Sequence, residues 1–323
     1  MIAIVLIAIV AGCASALMFA SIISGALISV LLLYLAPLPL MVAALGWGPL
    51  CATIGGIAAA IGLGALFGRP YCIAFVVAIA LPAWWLGHLA LLGRPIPHEA
   101  LSGNGAASLA PVLEWYPVGR ILLWTAGFAA LTTMSILLTI GTDAATIIGA
   151  IGRGLLLIWR PDDASNEEAK RAIDAVANIA PAAAAVVAMM TLTLNLWLAA
   201  KVTATSGRLQ RPWPDLRSVA LPPMTLAALS VAIAFCFIGG MPAILAQTVT
   251  AALMMAYALI GFAVLHTLTL ALRNRAIWLS CTYLIVALFS WLVLAMTALG
   301  VADAVFGLRQ RYLRSRPPPL PAA

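Results

Sequence analysis

The sequence predicts an all-α fold, a polytopic bundle of transmembrane helices. Residues 1–68 contain no Asp, Glu, Lys, Arg or His, and about 20 apolar residues suffice to cross the hydrocarbon core of a bilayer. The whole chain is 64% hydrophobic and 8% charged, whereas soluble domains carry about 25% charged residues. The apolar runs are long and lack the alternation of barrel strands, which favours helices. These observations exclude a soluble domain.

Nine apolar runs are candidate spans. In chain order they cover 2–20, 26–45, 49–67, 72–92, 118–140, 176–200, 221–238, 242–265 and 277–299. The run 221–238 is short and the run 26–45 contains prolines, so we expect about eight spans, with a range of about seven to nine. We expect one bundle over 1–302, with a polar segment at 161–174 between spans, and a basic, Pro-rich tail over 303–323.

Two prolines interrupt the second run, which includes Tyr34. Pro37 and Pro39 each remove a backbone donor and disfavour helix at the preceding residue. A broken helix at membrane depth persists only where it is buried in protein or lines a cavity, and such helices form binding sites in transporters. A simple kink, or a loop nearer the interface, is the alternative.

A shorter apolar segment, 144–159, follows the fifth span. It carries Arg153, and Thr142-Asp143 ahead of it make a good N-cap. This pattern predicts an interfacial or re-entrant helix. Further on, Pro181 predicts a kink in the helix that follows the polar segment.

The net charge of +7 is concentrated near the C-terminus, in Arg309, Arg311, Arg314 and Arg316. We interpret this tail as a topology signal under the positive-inside rule, and expect no binding of nucleic acid. A second basic loop holds Lys201, Arg208, Arg211 and Arg217. The positive-inside rule places both segments inside, but three candidate spans separate them, which would place them on opposite sides, so the two signals disagree. The tail lies closer to its helix and is the better guide.

Small residues recur every fourth position on two helices. One ladder is Ala8, Gly12, Ala16, Ala20 and Ser24, and the other is Ala52, Gly56, Ala60, Gly64 and Gly68. Four-residue spacing keeps such positions on nearly one face, and small side chains let another helix approach closely in lipid. Packing inside the bundle is one interpretation. The other is a docking face for a separate membrane subunit.

Aromatic residues mark the end of the fourth span and the start of the fifth. Trp84, Trp85 and His88 close the fourth, and Glu114, Trp115, Tyr116 and Arg120 open the fifth. Tryptophan and tyrosine at span ends are typical of interface belts. The alternative is an aromatic-walled ligand pocket that also includes Tyr34, Pro37 and Pro39, with the 102–105 loop as its lid.

Chemistry-bearing motifs are few. The five cysteines, Cys13, Cys51, Cys72, Cys236 and Cys281, stand singly within apolar runs, so we expect no disulfide, no metal and no cofactor. Asn195, Gln247 and His266 lie within apolar runs and are expected to hydrogen-bond across helices. No pattern supplies a nucleophile, base or metal cluster. We therefore expect no enzyme.

The runs beginning at Tyr34, Leu81 and Glu114 together give a resemblance over about 1–310. The chain resembles a proteobacterial branch of the YybS-like predicted membrane proteins, a domain of unknown function. That family is grouped remotely with substrate-binding S-components of energy-coupling-factor vitamin transporters and with a rod-shape protein of the MreD type. The resemblance implies a bacterial inner membrane, and a first-helix face at Ala8, Gly12, Ala16 and Ala20 that docks a coupling subunit. It departs from S-components in having more spans.

Two functions follow from these observations. The first is uptake of a small molecule, with a separate subunit supplying energy. The second is a structural or assembly role in the cell envelope without a ligand, in which the small-residue faces hold protein partners. An ATPase gene neighbour would favour the first and envelope-synthesis neighbours the second.

Overall fold

The computed structural model describes residues 2–95, 113–159 and 167–314. Its helices, in chain order, are α1 (Ile2–Ala20), α2 (Leu27–Leu35), α3 (Pro37–Trp47), α4 (Pro49–Phe67), α5 (Arg69–Phe75), α6 (Leu81–Leu91), α7 (Val118–Ile140), α8 (Ala144–Trp159), α9 (Glu167–Thr205), α10 (Met224–Phe235), α11 (Gly240–Leu268), α12 (Arg275–Leu288), α13 (Val293–Phe306) and α14 (Leu308–Arg314). A two-stranded antiparallel hairpin pairs β1 (Gly93–Pro95) with β2 (Leu113–Trp115). The all-α prediction is confirmed.

The chain divides into two compact units. Unit 1 comprises Met1–Ser135 and Met190–Trp213, and unit 2 comprises Ile136–Met189 and Pro214–Ala323. This differs from the prediction of one bundle over 1–302 with a separate tail over 303–323. The boundary at 302 falls inside α13, and α14 follows it, so the described part of the tail is folded.

Helix boundaries in unit 1 follow local backbone chemistry. Gly48 and Gly68 adopt positive φ angles of 97° and 90°, which glycine tolerates because it has no Cβ. Proline follows within two residues of each, at Pro49 and Pro70, in the first turn of the next helix. There the missing N–H costs nothing and the fixed φ suits the helix. Consecutive apolar helices are therefore joined by single-glycine turns.

Seven described helical segments are long and apolar enough to cross a membrane, and up to eight if one bent pair counts as a span. The expected count is confirmed. The bent pair, α12 with the segment Ser290–Phe306, turns through 117°, where the run 277–299 predicted one helix. The run 221–238 forms only the 12-residue α10, which at 1.5 Å per residue is about 18 Å long and too short to cross.

The proline-interrupted run is a single span, Leu27–Trp47. Ala36, between α2 and α3, keeps right-handed helical angles (φ −57°, ψ −32°), so the break is local. Pro37 is buried in the first turn of α3. The prediction of an unwound helix lining a cavity is therefore corrected to its alternative, an interruption within one span.

The predicted short helix over 144–159 is α8, as a separate element. Thr146 donates its backbone N–H to Asp143 Oδ1 at 2.8 Å, and hydrogen bonding to Thr146 lowers the pKa of the Asp143 carboxyl. This confirms the N-cap. The next helix, α9, runs 39 residues and continues through Pro181, and the kink there stays a prediction.

Glycine allows α1 and α4 to touch backbone to backbone. A Cβ added to Gly12 would overlap the Gly55 carbonyl oxygen and lie 2.8 Å from the carbonyl carbon, and one added to Gly55 would overlap the Ala8 carbonyl. Such close approach is how small residues drive helix association in lipid. The same device recurs in unit 2, where α11 meets α13 through Gly261 and Gly300.

Most positions of both predicted ladders pack within unit 1, whereas Ser24 is exposed. Ala8 and Gly12 are buried against α4, and Ala16 and Ala20 pack, partly buried, on the main core cluster. On α4, a Cβ on Gly56 would lie 3.3 Å from Ala80, one on Gly64 would lie 3.3 Å from Cys72, and Ala60 is buried in the same cluster. The packing interpretation is confirmed for Gly12, Gly56 and Gly64. The assignment of Ala8 and Gly12 to a face for a separate subunit is corrected, because α4 covers them.

A buried arginine ties the end of unit 2 to an earlier loop. Arg309 and Asp303 are 5% and 8% exposed, and their side chains form an ion pair (Nη2–Oδ2 2.7 Å). Arg309 also donates to the carbonyls of Val219 (2.7 Å) and Arg217 (3.3 Å). We call this set the Arg309 clamp. It places 217–219 and 309 at the same end of unit 2. An even number of membrane crossings must therefore lie between them.

The clamp resolves the disagreement between the two basic segments. Of the elements between Val219 and Arg309, α10 is too short to span, which leaves α11 and the bent pair as two crossings. Arg217 and the described arginines of the tail then share one side of the membrane. Arg309 itself is a structural cation of the fold, whereas Arg311 and Arg314 are exposed.

Candidate functional site

The aromatic residues at the end of the fourth span lie together on α6. Trp84 and Trp85 have ring centroids 5.4 Å apart, and the His88 ring lies 6.3 Å and 5.8 Å from theirs. Trp85 also meets Trp124 of α7 edge-on at 5.2 Å. The indole Nε1 of Trp85 is buried and, within the described part of the chain, has no hydrogen-bond partner. The rings of this group pack on one another and stay partly exposed.

Of the residues predicted to open the fifth span, Glu114 and Trp115 lie in the hairpin and Arg120 lies in α7. Glu114 lies opposite Arg94 across the two strands and pairs with it, Oε2 to Nη2, at 2.8 Å. Both side chains are more than half exposed, at 52% and 81%. Trp115 lies opposite Gly93 and covers its backbone. Glu114 therefore neutralises an arginine in its own hairpin. Its role as a charged pocket group stays a prediction, and the 102–105 lid lies outside the described residues.

Tyr116 connects the hairpin to the end of α9 in unit 1. Its backbone N–H donates to the Leu92 carbonyl at 2.8 Å, and its carbonyl accepts a hydrogen bond from Arg211 Nη2 at 2.9 Å. Arg211 Nη1 donates to the Ala90 carbonyl at 3.2 Å. Burial lowers the pKa of the Arg211 guanidinium, yet arginine stays protonated in proteins. Arg211 thus holds three chain segments at one end of unit 1.

The proline-interrupted turn begins α3, which packs against α6, the helix that carries Trp84, Trp85 and His88. Tyr34 is 43% exposed, and its carbonyl accepts a hydrogen bond from Asn195 Nδ2 at 2.7 Å. Pro37 and Pro39 lack N–H groups, so the carbonyls of Leu33 and Leu35 lose their helical donors, and the Asn195 bond lies at the carbonyl between them. This confirms the cross-helix role expected for Asn195. The pocket of Tyr34, the two prolines and the tryptophans stays a prediction.

An open cleft of about 480 Å³ lies at the Arg211 end of unit 1. Its lining residues are Leu45, Gly46, Trp47, Gly48, Pro49, His88, Leu91, Leu92 and Gln210, and we call it the Trp47 cleft. Only His88 among them belongs to the predicted pocket. The turn between α3 and α4 forms one wall and the end of α6 the other. The cleft combines a large ring with the polar side chains of His88 and Gln210.

Arg208 adjoins this cleft. The guanidinium carbon of Arg208 lies 4.6 Å from the centroid of the Trp47 ring, and the Arg208 side chain runs beside Gly46. Lys201 lies over Trp213 at 4.7 Å, and over Trp197 at 6.0 Å. These are cation–π distances. Arg120, by contrast, lies over Tyr116 at 6.0 Å and outside the cleft lining.

Sequence reasoning missed Trp47 and Arg208. The basic segment 201–217 was interpreted only as a topology signal, although it alternates cations with Trp213 and Gln210. The sequence does show that Trp47 precedes a glycine, Gly48, that ends α3. That pattern could have indicated an aromatic residue at a helix end. Their contact joins residues about 160 positions apart in sequence, so spacing alone gave no way to pair them.

The fold defines a class: a polytopic α-helical membrane protein whose apolar helix faces contact lipid. Leu17, Leu50 and Leu66 show such faces, each more than 70% exposed. Residues 13–304 match the family described as "Predicted membrane protein (DUF2232)", and the chain belongs to that family. No curated protein and no solved structure matches the chain.

Proposed function

We propose that this protein is a non-enzymatic, multi-pass protein of the bacterial inner membrane that binds a small molecule in the Trp47 cleft during uptake. A separate subunit would supply the energy. The cleft is the observation that carries the proposal. Its volume of about 480 Å³ suits a small molecule, because ligand sites are usually concave clefts of about 300–1,000 Å³ with a few polar groups on an apolar lining.

The arrangement of the basic residues supports a cytoplasmic position for the cleft. Lys201, Arg208 and Arg211 lie at the cleft end of unit 1. Excess Lys and Arg near span ends favours the cytoplasmic side. The Trp47 cleft would then be the inward-open end of an uptake path.

The test is native mass spectrometry on protein extracted gently from its own membrane. We expect one small-molecule adduct per chain. Trp47→Leu should lose the adduct because it removes the largest wall of the cleft. Trp278→Leu is the matched control, since Trp278 is 61% exposed on α12 and lines no part of the cleft.

Two results would contradict the proposal. One is a wild-type chain that carries envelope proteins and no small adduct, which favours the structural role. The other is an adduct that Trp47→Leu and Trp278→Leu retain equally, which places the ligand elsewhere.

A further inference from the structure

We infer that the ligand of the Trp47 cleft carries a phosphate group and that Arg208 is its principal binding residue. This inference rests on the proposed function, because it names the chemical class that the same cleft would take. The shared chemistry has two sources, a soluble phosphate ester or the headgroup of an anionic phospholipid.

The charge around the cleft is positive. Arg208 contacts the lining residue Trp47, Arg211 bonds the Ala90 carbonyl next to the lining, and no lining residue is acidic. The described carboxylate of the hairpin, Glu114, is paired with Arg94. Two cations beside a lining without an acid produce a positive potential that attracts anions. A phosphate monoester, with a charge of about −1.5 to −2 at neutral pH, matches this surplus better than a single carboxylate.

The two arginines make different contacts. Arg211 donates from both terminal nitrogens to the carbonyls of Ala90 and Tyr116, so it holds those backbone segments in place. The guanidinium of Arg208 has the Trp47 ring as its neighbour and, among the described residues, no hydrogen-bond or ion-pair partner. An arginine stacked on an aromatic ring is held in place while its fork of N–H donors stays available for a phosphate.

Two neutral polar residues also line the cleft. His88 and Gln210 place side-chain donors in the same cleft, and both residue types donate hydrogen bonds to anionic oxygens. His88 is held in position by the Trp84 and Trp85 rings. A phosphate in the cleft would thus meet a fixed cation on one wall and a hydrogen-bonding side chain on the other.

The experiment compares binding of two probes to the full chain in nanodiscs. Glycerol 3-phosphate is titrated into nanodiscs of the neutral lipid phosphatidylcholine, and phosphatidylglycerol is added in a second series and counted by native mass spectrometry. Arg208→Gln should weaken binding of one probe at least tenfold. Arg208→Lys keeps a cation beside Trp47 but loses the paired N–H donors of the guanidinium. Its affinity for the probe should lie between those of the wild type and Arg208→Gln. Arg69→Gln, an equal charge change at an exposed site on α5, should bind as the wild type does.

Each result decides between distinct claims. Binding of glycerol 3-phosphate that depends on Arg208 supports the inference and the proposed uptake together. Arg208-dependent retention of phosphatidylglycerol alone supports the inference and contradicts uptake of a soluble molecule. A small adduct without phosphate overturns the inference but leaves the proposed uptake standing. Equal binding of both probes by wild type and Arg208→Gln also overturns the inference. Unfolding curves of Arg208→Lys and Arg208→Gln show that any loss is not a folding defect.

Discussion

Asp303 accepts three hydrogen bonds from a single residue, Arg309. The backbone N–H of Arg309 donates to Oδ1 at 2.8 Å, and its Nε and Nη2 donate to Oδ2 at 2.8 and 2.7 Å. Gly307, in the left-handed conformation (φ 62°), reverses the chain between them. The remaining guanidinium donors reach the carbonyls of Arg217 and Val219. Both charges are buried and paired, which is the condition under which buried charges are tolerated.

The clamp predicts a large loss of stability when one partner is removed. Asp303→Ala should destabilise unit 2 by about 3–5 kcal/mol, because it leaves the Arg309 charge buried without a counter-ion. The exposed Arg311→Gln on α14 is the control and should change stability by less than about 0.5 kcal/mol. Denaturant unfolding in detergent measures both. Equal effects of the two variants would show that the pair does not hold the unit.

The shared side of the two basic segments is testable with reporter fusions. Fusions ending at Pro212 and at Gln310 should both give fluorescent green fluorescent protein, which folds in the cytoplasm, because two crossings separate the segments and basic loops favour the inside. A fusion ending at Asn274, between α11 and α12, should give active alkaline phosphatase instead. Opposite reporters at Pro212 and Gln310 would contradict the crossing count.

The backbone contact between α1 and α4 predicts opposite results for two glycines of one helix. A Cβ on Gly55 overlaps the Ala8 carbonyl, whereas a Cβ on Gly62 meets no atom within 4 Å. Gly55→Ala should destabilise by about 1–3 kcal/mol through overpacking. Gly62→Ala should be neutral or stabilise by up to about 1 kcal/mol, because alanine favours helix. Thermal unfolding of both in detergent is the measurement, and a neutral Gly55→Ala would refute the contact.

The Asn195 contact predicts a position-specific effect of aspartate. Asn195→Asp replaces the donor to the Tyr34 carbonyl with a buried acceptor or charge and should cost at least about 2 kcal/mol. Asn178→Asp is the control on the same helix, since Asn178 is exposed and bonds only its own helix, at Asp174. Unfolding at neutral pH compares the two, and similar stability of both variants would remove any role for Asn195 across the helices.

The sequence predicted what depends on local composition and failed where distant residues meet. The apolar runs, the N-cap at Asp143 and the small-residue packing of Gly12 follow from short-range rules and are present in the structure. The partner of Gly12 is Gly55 and not the ladder at Gly56, because the crossing of α1 on α4 selects which face meets it. Likewise, the side chain of Arg309 is indistinguishable from a surface arginine until the fold brings Val219 beside it.

The Arg309 clamp also bears on how the chain is made. Arg309 is synthesised 90 residues after Val219, so the clamp can form only once α11 and the bent pair have both been made and inserted. An insertion error in either one would leave Arg309 on the opposite side of the membrane from the carbonyls of Arg217 and Val219. Closure of the clamp therefore depends on correct insertion of both crossings.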